Sequence, residues 1–463
     1  MPSLKFLGAT GTVTGSRYLL TTERKRYLID CGLFQGLKQL RLRNWEPFPI
    51  PPETIDAVIL THAHIDHTGY LPCLVKNGFR GSVYTTTATT DLCQIMLPDS
   101  AHLQEEDAYY ANKKHFSKHA TALPLYTLDD AKKALDLFTP VAYGSVLNLD
   151  DGISLTFRDA GHILGSAFID FRLDVNGQTR RLLFSGDLGR PNQPILRDPH
   201  TVFGTDYLVI ESTYGNRLHG SEDTKKAVAR VINDSARRGG VLVVPSFAVG
   251  RTQELLFTIR ELEEENQIPR LPIYVDSPMA VNATQIFMKN KQDYDLESKV
   301  LELEGKDILQ TAKLHFSRTQ PQSRAINELR NNAIIISASG MVTGGRILHH
   351  LFNRLPSPKN TVLFIGYQAE GTRGRTIQEG ADSVKIHGQF VPIRAHVESI
   401  SGFSAHADYN ETLAWLSSFN TAPRKVFIVH GEPEQSRSLG EKIGKQFGWP
   451  IEIPEYLNQY ELD

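Results

Sequence analysis

The nine residues Thr61 to Gly69, THAHIDHTG, hold His62, His64, Asp66 and His67 directly behind the apolar run Ala57 to Leu60. Imidazole nitrogen suits zinc, and a carboxylate beside it suits a second divalent ion. In an extended segment His62 and His64 point to the same side and can grip one metal. Asp66 and His67 are expected in the turn that follows, displaced enough to grip a second metal about 3.5–4 Å from the first, the separation used by two-metal hydrolases. A complete site needs further ligands. Two candidates stand at the ends of later apolar runs, His162 in DAGHILGS and Asp187 in FSGDLG. Alone, either reads as a hydrogen-bonded core residue or a turn carboxylate before it reads as a ligand; paired with the first block, they complete a set.

Strands must carry these residues. The segment DAVIL reads as a buried strand, which puts the imidazoles at its carboxyl end, where α/β folds place their chemistry. The opening stretches KFLGAT, SRYLLTT and KRYLIDCG read as short strands broken by Gly8, Gly11 and Gly15, with no helix-period segment to make a nucleotide-binding unit. A short helix is expected from about Tyr70 to Asn77, then the strand SVYTT, then helices with polar faces between Ala88 and Phe138. The tract KKHFSKH from Lys113 adds local positive charge, read as a solvated surface. From Tyr143 strand patterns return, punctuated by turns such as Asn176-Gly177. Between Tyr214 and about Ala395 strands and helices alternate: VLVVPSF with a helix from Gly250, PIYVDSP with a helix, AIIISASG with a helix from Gly344, and TVLFIGY. That pattern is a compact α/β unit with a parallel sheet. Two further histidine segments close the chain, SGFSAHAD before a helix and KVFIVHG ending a strand.

The chain has 463 residues, which argues for two or three domains. Lys plus Arg is 50 against 52 for Asp plus Glu, so any nucleic-acid site must be a local patch rather than a global charge. Three cysteines, Cys31, Cys73 and Cys93, exclude a disulfide scaffold and fit a reducing compartment. With no signal-like N-terminus and no long apolar run, the expectation is a cytoplasmic protein with no membrane partner.

The ordered set Asp30, HAHIDH, His162 and Asp187 resembles the metallo-β-lactamase superfamily. ESTYG at Glu211, FSAHAD at His406 and VHG at His430 look like the signature motifs of its β-CASP group of RNA- and DNA-processing nucleases. In plan the chain is similar to the endonuclease subunit of the cleavage and polyadenylation factor and its short bacterial and archaeal relatives. One departure is Asn216, where relatives often carry Asp. The resemblance implies an α/β fold: an αββα sandwich from 1–211 and 396–463, interrupted by a β-CASP domain over 212–395 with a parallel sheet. It implies two Zn2+ per chain, one held by His62, His64 and His162, the other by Asp66, His67 and His430, with Asp187 bridging. Asp30 would orient a ligand imidazole from behind. Asp66, Glu211 and His406 would be catalytic, His406 as general acid oriented by Glu211.

The implied reaction is hydrolysis of single-stranded RNA phosphodiesters, leaving 5′-phosphate and 3′-hydroxyl ends. Internal cutting is expected, with 5′-to-3′ exonuclease action as the other mode, and homodimer assembly is left open. For RNA phosphates the candidates are Ser246, Arg251, Ser277, Ser337, Ser339, Gly340, Gly344, Gly345 and Arg373, because ISASGMVTGGR and GTRGR put backbone N–H groups and arginines at strand ends and a helix start. A plain glycine-rich turn and salt bridges are the competing readings of those residues. Two other functions compete with the ribonuclease. A small-molecule hydrolase of thioesterase or lactonase type would not need so large an insert, and a silent RNA-processing scaffold would not need all seven metal ligands.

Overall fold

The computed structural model describes residues 1–113, 121–175, 177–220, 222–366, 368 and 371–463. The basic tract beyond Lys113, Asn176 of the Asn176-Gly177 turn and the last residue of TVLFIGY lie outside the described residues. The chain forms two compact units, one from Met1–Asn192, Asp198–Leu218 and Ala405–Asp463, the other from Gln193–Arg197 and His219–Ser404.

In chain order the first unit begins with β1 (Ser3–Phe6), β2 (Tyr18–Thr21), β3 (Arg26–Ile29), β4 (Ala57–Ile59), β5 (Ser82–Thr86) and β6 (Phe138–Val141). It continues with β7 (Val146–Asp150), β8 (Ile153–Asp159), β9 (Ala167–Val175), β10 (Gln178–Phe184) and β11 (Tyr207–Glu211). The second unit carries β12 (Val241–Pro245), β13 (Ile273–Val275), β14 (Leu314–Phe316), β15 (Ala333–Ser337), β16 (Thr361–Phe364), β17 (Ser383–Ile386), β18 (Gln389–Pro392) and β19 (His396–Ser399). The chain then returns to the first unit with β20 (Lys425–Val429), β21 (Ile451–Glu452) and β22 (Gln459–Glu461).

Two seven-stranded sheets make the first unit, in the orders β22-β1-β2-β3-β4-β5-β6 and β21-β20-β11-β10-β9-β8-β7. Their strands alternate sides, as a period of two demands. On β11, Tyr207 and Val209 enter the core between the sheets while Leu208 and Ile210 enter the outer core. On β20, Phe427 and Val429 go inward and Val426 and Ile428 outward. The outer core is closed by Leu413 and Leu416 of helix Tyr409–Leu416 and by Leu439 and Ile443 of helix Pro433–Phe447. The other sheet is backed by helices Leu71–Lys76, Thr87–Lys113 and Leu128–Leu135. The result is an αββα sandwich. Burying a large apolar side chain stabilises by roughly 1.5–3 kcal/mol. The inter-sheet core, with Phe6, Phe157, Phe171, Phe184 and Phe427 all buried, therefore holds the strand ends where the histidines sit.

The second unit is built on a six-stranded sheet in the order β14-β13-β15-β12-β16-β19, parallel throughout. Both faces are covered, with Leu242 and Val244 in one core and Val241 and Val243 in the other, which is why VLVV and AIII read as unbroken apolar runs. The expected boundary at 395/396 cuts through this sheet: β19 pairs parallel with β16, so its hydrogen bonds keep the chain in the insert until Ser404. At the other end the division falls after Leu218 rather than after Glu211. Among the described residues no helix is long and apolar enough to cross a membrane.

Candidate metal centre

β4 ends at Ile59, and the chain passes through Thr61 to a single helical turn, Ile65–Thr68, with His64 at its N-cap. Asp66 and His67 lie inside that turn rather than in a loop before a helix. Coiling the backbone turns Asp66 and His67 towards His430, while the His67 ring stays 4.0 Å from that of His62. Backbone bonds hold the turn against the end of β3: Cys31 N donates to His67 O at 2.7 Å and Leu33 N to Ile65 O at 3.0 Å. Two cluster residues stand at strand ends with positive φ, Asp30 at 56° and His430 at 48°. This conformation is uncommon outside glycine and is held here by the surrounding bonds.

His62, His64, His162 and Asp187 can each present one ligand atom so that all four lie within 4.8 Å of one another, as can Asp66, His67 and His430. In the first group His62 Nε2 is 3.0 Å from His64 Nδ1, His162 Nε2 is 3.3 Å from His64 Nδ1, and Asp187 Oδ2 is 3.4 Å from both Nε2 atoms. In the second, His67 Nε2 is 3.2 Å from His430 Nε2, which is 3.5 Å from Asp66 Oδ2. The other Asp187 oxygen, Oδ1, lies 3.3 Å from His67 Nε2 and 3.4 Å from His430 Nδ1. One carboxylate thus faces both groups.

These residues fit divalent zinc. A tetrahedral zinc with bonds of about 2.0–2.1 Å has ligand atoms roughly 3.3–3.4 Å apart, close to the spacings of the first group. Asp187 Oδ1 is buried without a hydrogen-bond partner among the described residues, an expensive state for a carboxylate unless a cation satisfies it. Burial, and next the neighbouring imidazoles, push His62 and His162 below the ordinary histidine range and His64 down to about 3, so these rings are neutral electron-pair donors. The carboxylates behave oppositely. Burial opposes their charge, yet His430 and His67 hold Asp187 well below the usual range, and a hydrogen bond to His430 with the His67 charge does so for Asp66. Burial is likewise outweighed at His67, which Asp187 and then Asp30 raise well above the usual histidine value.

Asp30 is not among the clustered ligand atoms. Its Oδ2 accepts from His67 Nδ1 at 2.7 Å and its Oδ1 from Thr61 N at 2.8 Å. Glu211, at the end of β11, accepts through Oε1 from Leu188 N at 2.7 Å and from His406 Nδ1 at 3.0 Å, and through Oε2 from Thr213 N at 3.1 Å. His406 precedes helix Tyr409–Leu416 and stands beside the first group, its ring 4.6 Å from that of His162 and its Nδ1 4.0 Å from Asp187 Oδ2. Its side chain is 21% exposed, against 2% for Asp187.

Two threonines in this shell escaped the reading of the sequence. Thr61 Oγ1 lies 3.0 Å from His62 Nδ1 and from both Asp30 oxygens, and Thr213 Oγ1 lies 3.3 Å from His430 Nδ1. Their only signal is position: each is a hydroxyl beside a motif residue, Thr61 directly before His62 and Thr213 two places after Glu211.

The nine phosphate candidates belong to the second unit, several of them in loops at the carboxyl ends of its strands. Ser246 accepts from Thr252 Oγ1 at 3.1 Å, Ser277 caps helix Pro278–Lys289 through Ala280 N, and Ser337 donates to Asp276 O at 2.8 Å. Ser339 pairs with Thr343 Oγ1 at 2.9 Å. Arg251 pairs with Glu254 at 2.6 Å, and Arg373 donates to the carbonyls of Lys385 and Thr343. The helix expected from Gly344 begins at Ile347 instead. Gly345 sits at φ 82° in the preceding turn, and a Cβ on Gly340 would come within 2.9 Å of the Phe247 ring. These glycines are thus needed by the turn itself.

Three family descriptions match the chain: a metallo-β-lactamase superfamily domain over 19–179, a β-CASP domain over 252–377 and a Zn-dependent metallo-hydrolase RNA specificity domain over 391–454. The chain is 38% identical to ribonuclease TTHA0252 of Thermus thermophilus over 94% of each chain. It is 29% identical to transcription termination factor FttA of Methanocaldococcus jannaschii, covering 98% of this chain and 71% of that one. For FttA of Pyrococcus horikoshii the identity is 30%, covering 98% and 70%. A crystal structure of a protein of unknown function from Enterococcus faecalis shares the fold, with a TM-score of 0.56 at 11% identity over the whole of both chains.

Proposed function

The chain belongs to the β-CASP family of metallo-β-lactamase-fold ribonucleases, and from that premise we propose that it hydrolyses single-stranded RNA at a centre of two zinc ions. The observation that carries this reading is the convergence of donors from four separate segments, 62–67, 162, 187 and 430, beside the Glu211–His406 pair. His62, His64 and His162 would hold one ion and Asp66, His67 and His430 the other, with Asp187 facing both groups. When bound, such ions supply an acidified water and offset charge at a phosphodiester.

The chain's own residues do the rest. Asp66, at 21% the most exposed carboxylate of the cluster, is the one that meets water and substrate entering from solvent. His406 gives its Nδ1 proton to a hydrogen bond with Glu211, which fixes the ring and leaves Nε2–H as the acid for the departing oxygen. The oxygen of water bonds to phosphorus, the bond from phosphorus to the 3′-oxygen breaks, that oxygen takes the His406 proton, and the proton released by the water passes to solvent, from which His406 is reprotonated. The 2′-hydroxyl has no covalent part. RNA phosphates are assigned to backbone N–H groups of the loop Ser337 to Gly345 and to the neighbouring Ser246, Ser277, Arg251 and Arg373, a reading supported by the placement of strand-end loops in open parallel sheets.

The test is digestion of 5′- and 3′-labelled RNA in oxygen-18 water, with mass spectrometry of the products. The expected ends are 3′-hydroxyl and 5′-phosphate, with the heavy oxygen in the latter, and the label pattern separates internal from terminal cutting. A 2′,3′-cyclic phosphate would overturn the mechanism.

A further inference from the structure

We propose that the Thr61 hydroxyl is a positioning relay through which Asp30, the carboxylate that holds His67 directly, also orients His62, so that one carboxylate serves a histidine in each of the two metal sub-sites. The inference rests on the reading of His62 and His67 as metal ligands.

The argument is one of proton accounting. A hydroxyl has one proton to donate and lone pairs with which to accept, whereas an ionised carboxylate can only accept. Thr61 Oγ1 stands 3.0 Å from each Asp30 oxygen and 3.0 Å from His62 Nδ1. Its single proton must go to Asp30. Towards His62 the hydroxyl can then only accept, so Nδ1 of that ring carries the hydrogen and Nε2 the lone pair. That Nε2 is the atom 3.0 Å from His64 Nδ1 and 3.4 Å from Asp187 Oδ2.

His67 is set by the same carboxylate directly, with the Thr61 hydroxyl a longer 3.4 Å from its Nδ1. Its Nδ1 donates to Asp30 Oδ2 at 2.7 Å, which turns Nε2 towards Asp187 Oδ1 at 3.3 Å and His430 Nε2 at 3.2 Å. A histidine of each group thus takes its ring orientation from Asp30, which is itself fully buried and pinned by Thr61 N at 2.8 Å and Ser16 Oγ at 3.3 Å.

The surroundings explain why the relay is a threonine. Thr61 is 1% exposed and packs against Gly186, where an added Cβ would come within 2.7 Å of the Thr61 Cβ. Branching at Cβ leaves few rotamers, and this packing selects one. The backbone is anchored independently, since Thr61 O accepts from Ala167 N at 2.8 Å. Thr61→Val therefore removes the hydroxyl with little change of shape, and Thr61→Ser keeps it.

The experiment is zinc titration of the metal-free protein against a competing chelator, with the visible absorption of the cobalt-substituted protein as a second readout. Wild type, T61V, T61S, D30N and the double variant T61V/D30N are compared. T61V should weaken binding at one sub-site about 10–100-fold, the range for loss of a partner behind a metal ligand, and should alter the cobalt spectrum while the melting temperature of the metal-free protein stays near wild type. T61S should restore both readouts. T61V should add little to D30N, because the relay acts through that carboxylate. Unchanged affinity and spectrum in T61V, while wild type binds two ions, would overturn the relay, as would lost thermal stability without lost affinity. A wild type that binds no zinc would overturn the metal-site reading instead. Should T61V not fold, Thr61→Ala, still anchored through its backbone, is measured in its place.

Discussion

At the scale of single residues, Asp187 and His406 should fail in opposite ways. Asp187 is 2% exposed and turns one oxygen to each histidine group. Asp187→Ala should therefore cost both ions, not one, when metal is counted by mass spectrometry or plasma emission, and activity should vanish with them. Retention of one full equivalent would show that the carboxylate serves a single ion. His406 touches the cluster only at its rim and is tied to Glu211 at 3.0 Å. His406→Ala should keep its metal and lose turnover, by roughly 10²–10⁴-fold as for other general acids. Loss of metal in that variant would make His406 a ligand.

At the scale of elements, the helical turn Ile65–Thr68 owes its place to contact with the end of β3. A Cβ on Gly32 would stand 1.6 Å from the Asp66 carbonyl oxygen, and backbone cannot yield as a side-chain tip can. Gly32→Ala should thus push the turn away, with a stability loss on the order of 3 kcal/mol and weaker zinc binding, both measured on the purified variant. Normal metal content would mean that the turn can move without disturbing its ligands. The same logic explains the insert. Gly345 answers to a left-handed turn and Gly340 to the Phe247 ring, so their presence in ISASGMVTGGR is required by local geometry whatever the loop binds.

At the scale of the whole molecule, the proposed ligands cross-link segments of the first unit that lie far apart in the chain. Ligand binding to the folded state stabilises it by about 4 kcal/mol at a thousandfold excess over Kd. The three tryptophans, Trp45, Trp415 and Trp449, all belong to that unit, so their fluorescence reports its melting alone. Removing metal with a chelator should lower the tryptophan-monitored transition by on the order of 10 °C, and zinc should restore it. An unmoved transition would mean that the ions do not bridge these segments.

The sequence by itself determined the residue types, the strands that carry them and the parallel sheet of the insert, because hydrophobic periodicity and short motifs are local. DAVIL, KVFIV and VLVV are apolar enough to read as strands wherever they pack. What lay beyond it was decided by tertiary structure. The strand β19 belongs to the insert through hydrogen bonds to β16, not through any break in composition near 395. The side chains of Arg251 and Ser337 are taken up by partners within the insert, Glu254 and the Asp276 carbonyl. Thr61 gains its place because Asp30, 31 residues earlier, folds back onto it and onto His67. Proximity in space sets which proton goes where, and a linear pattern carries no record of it.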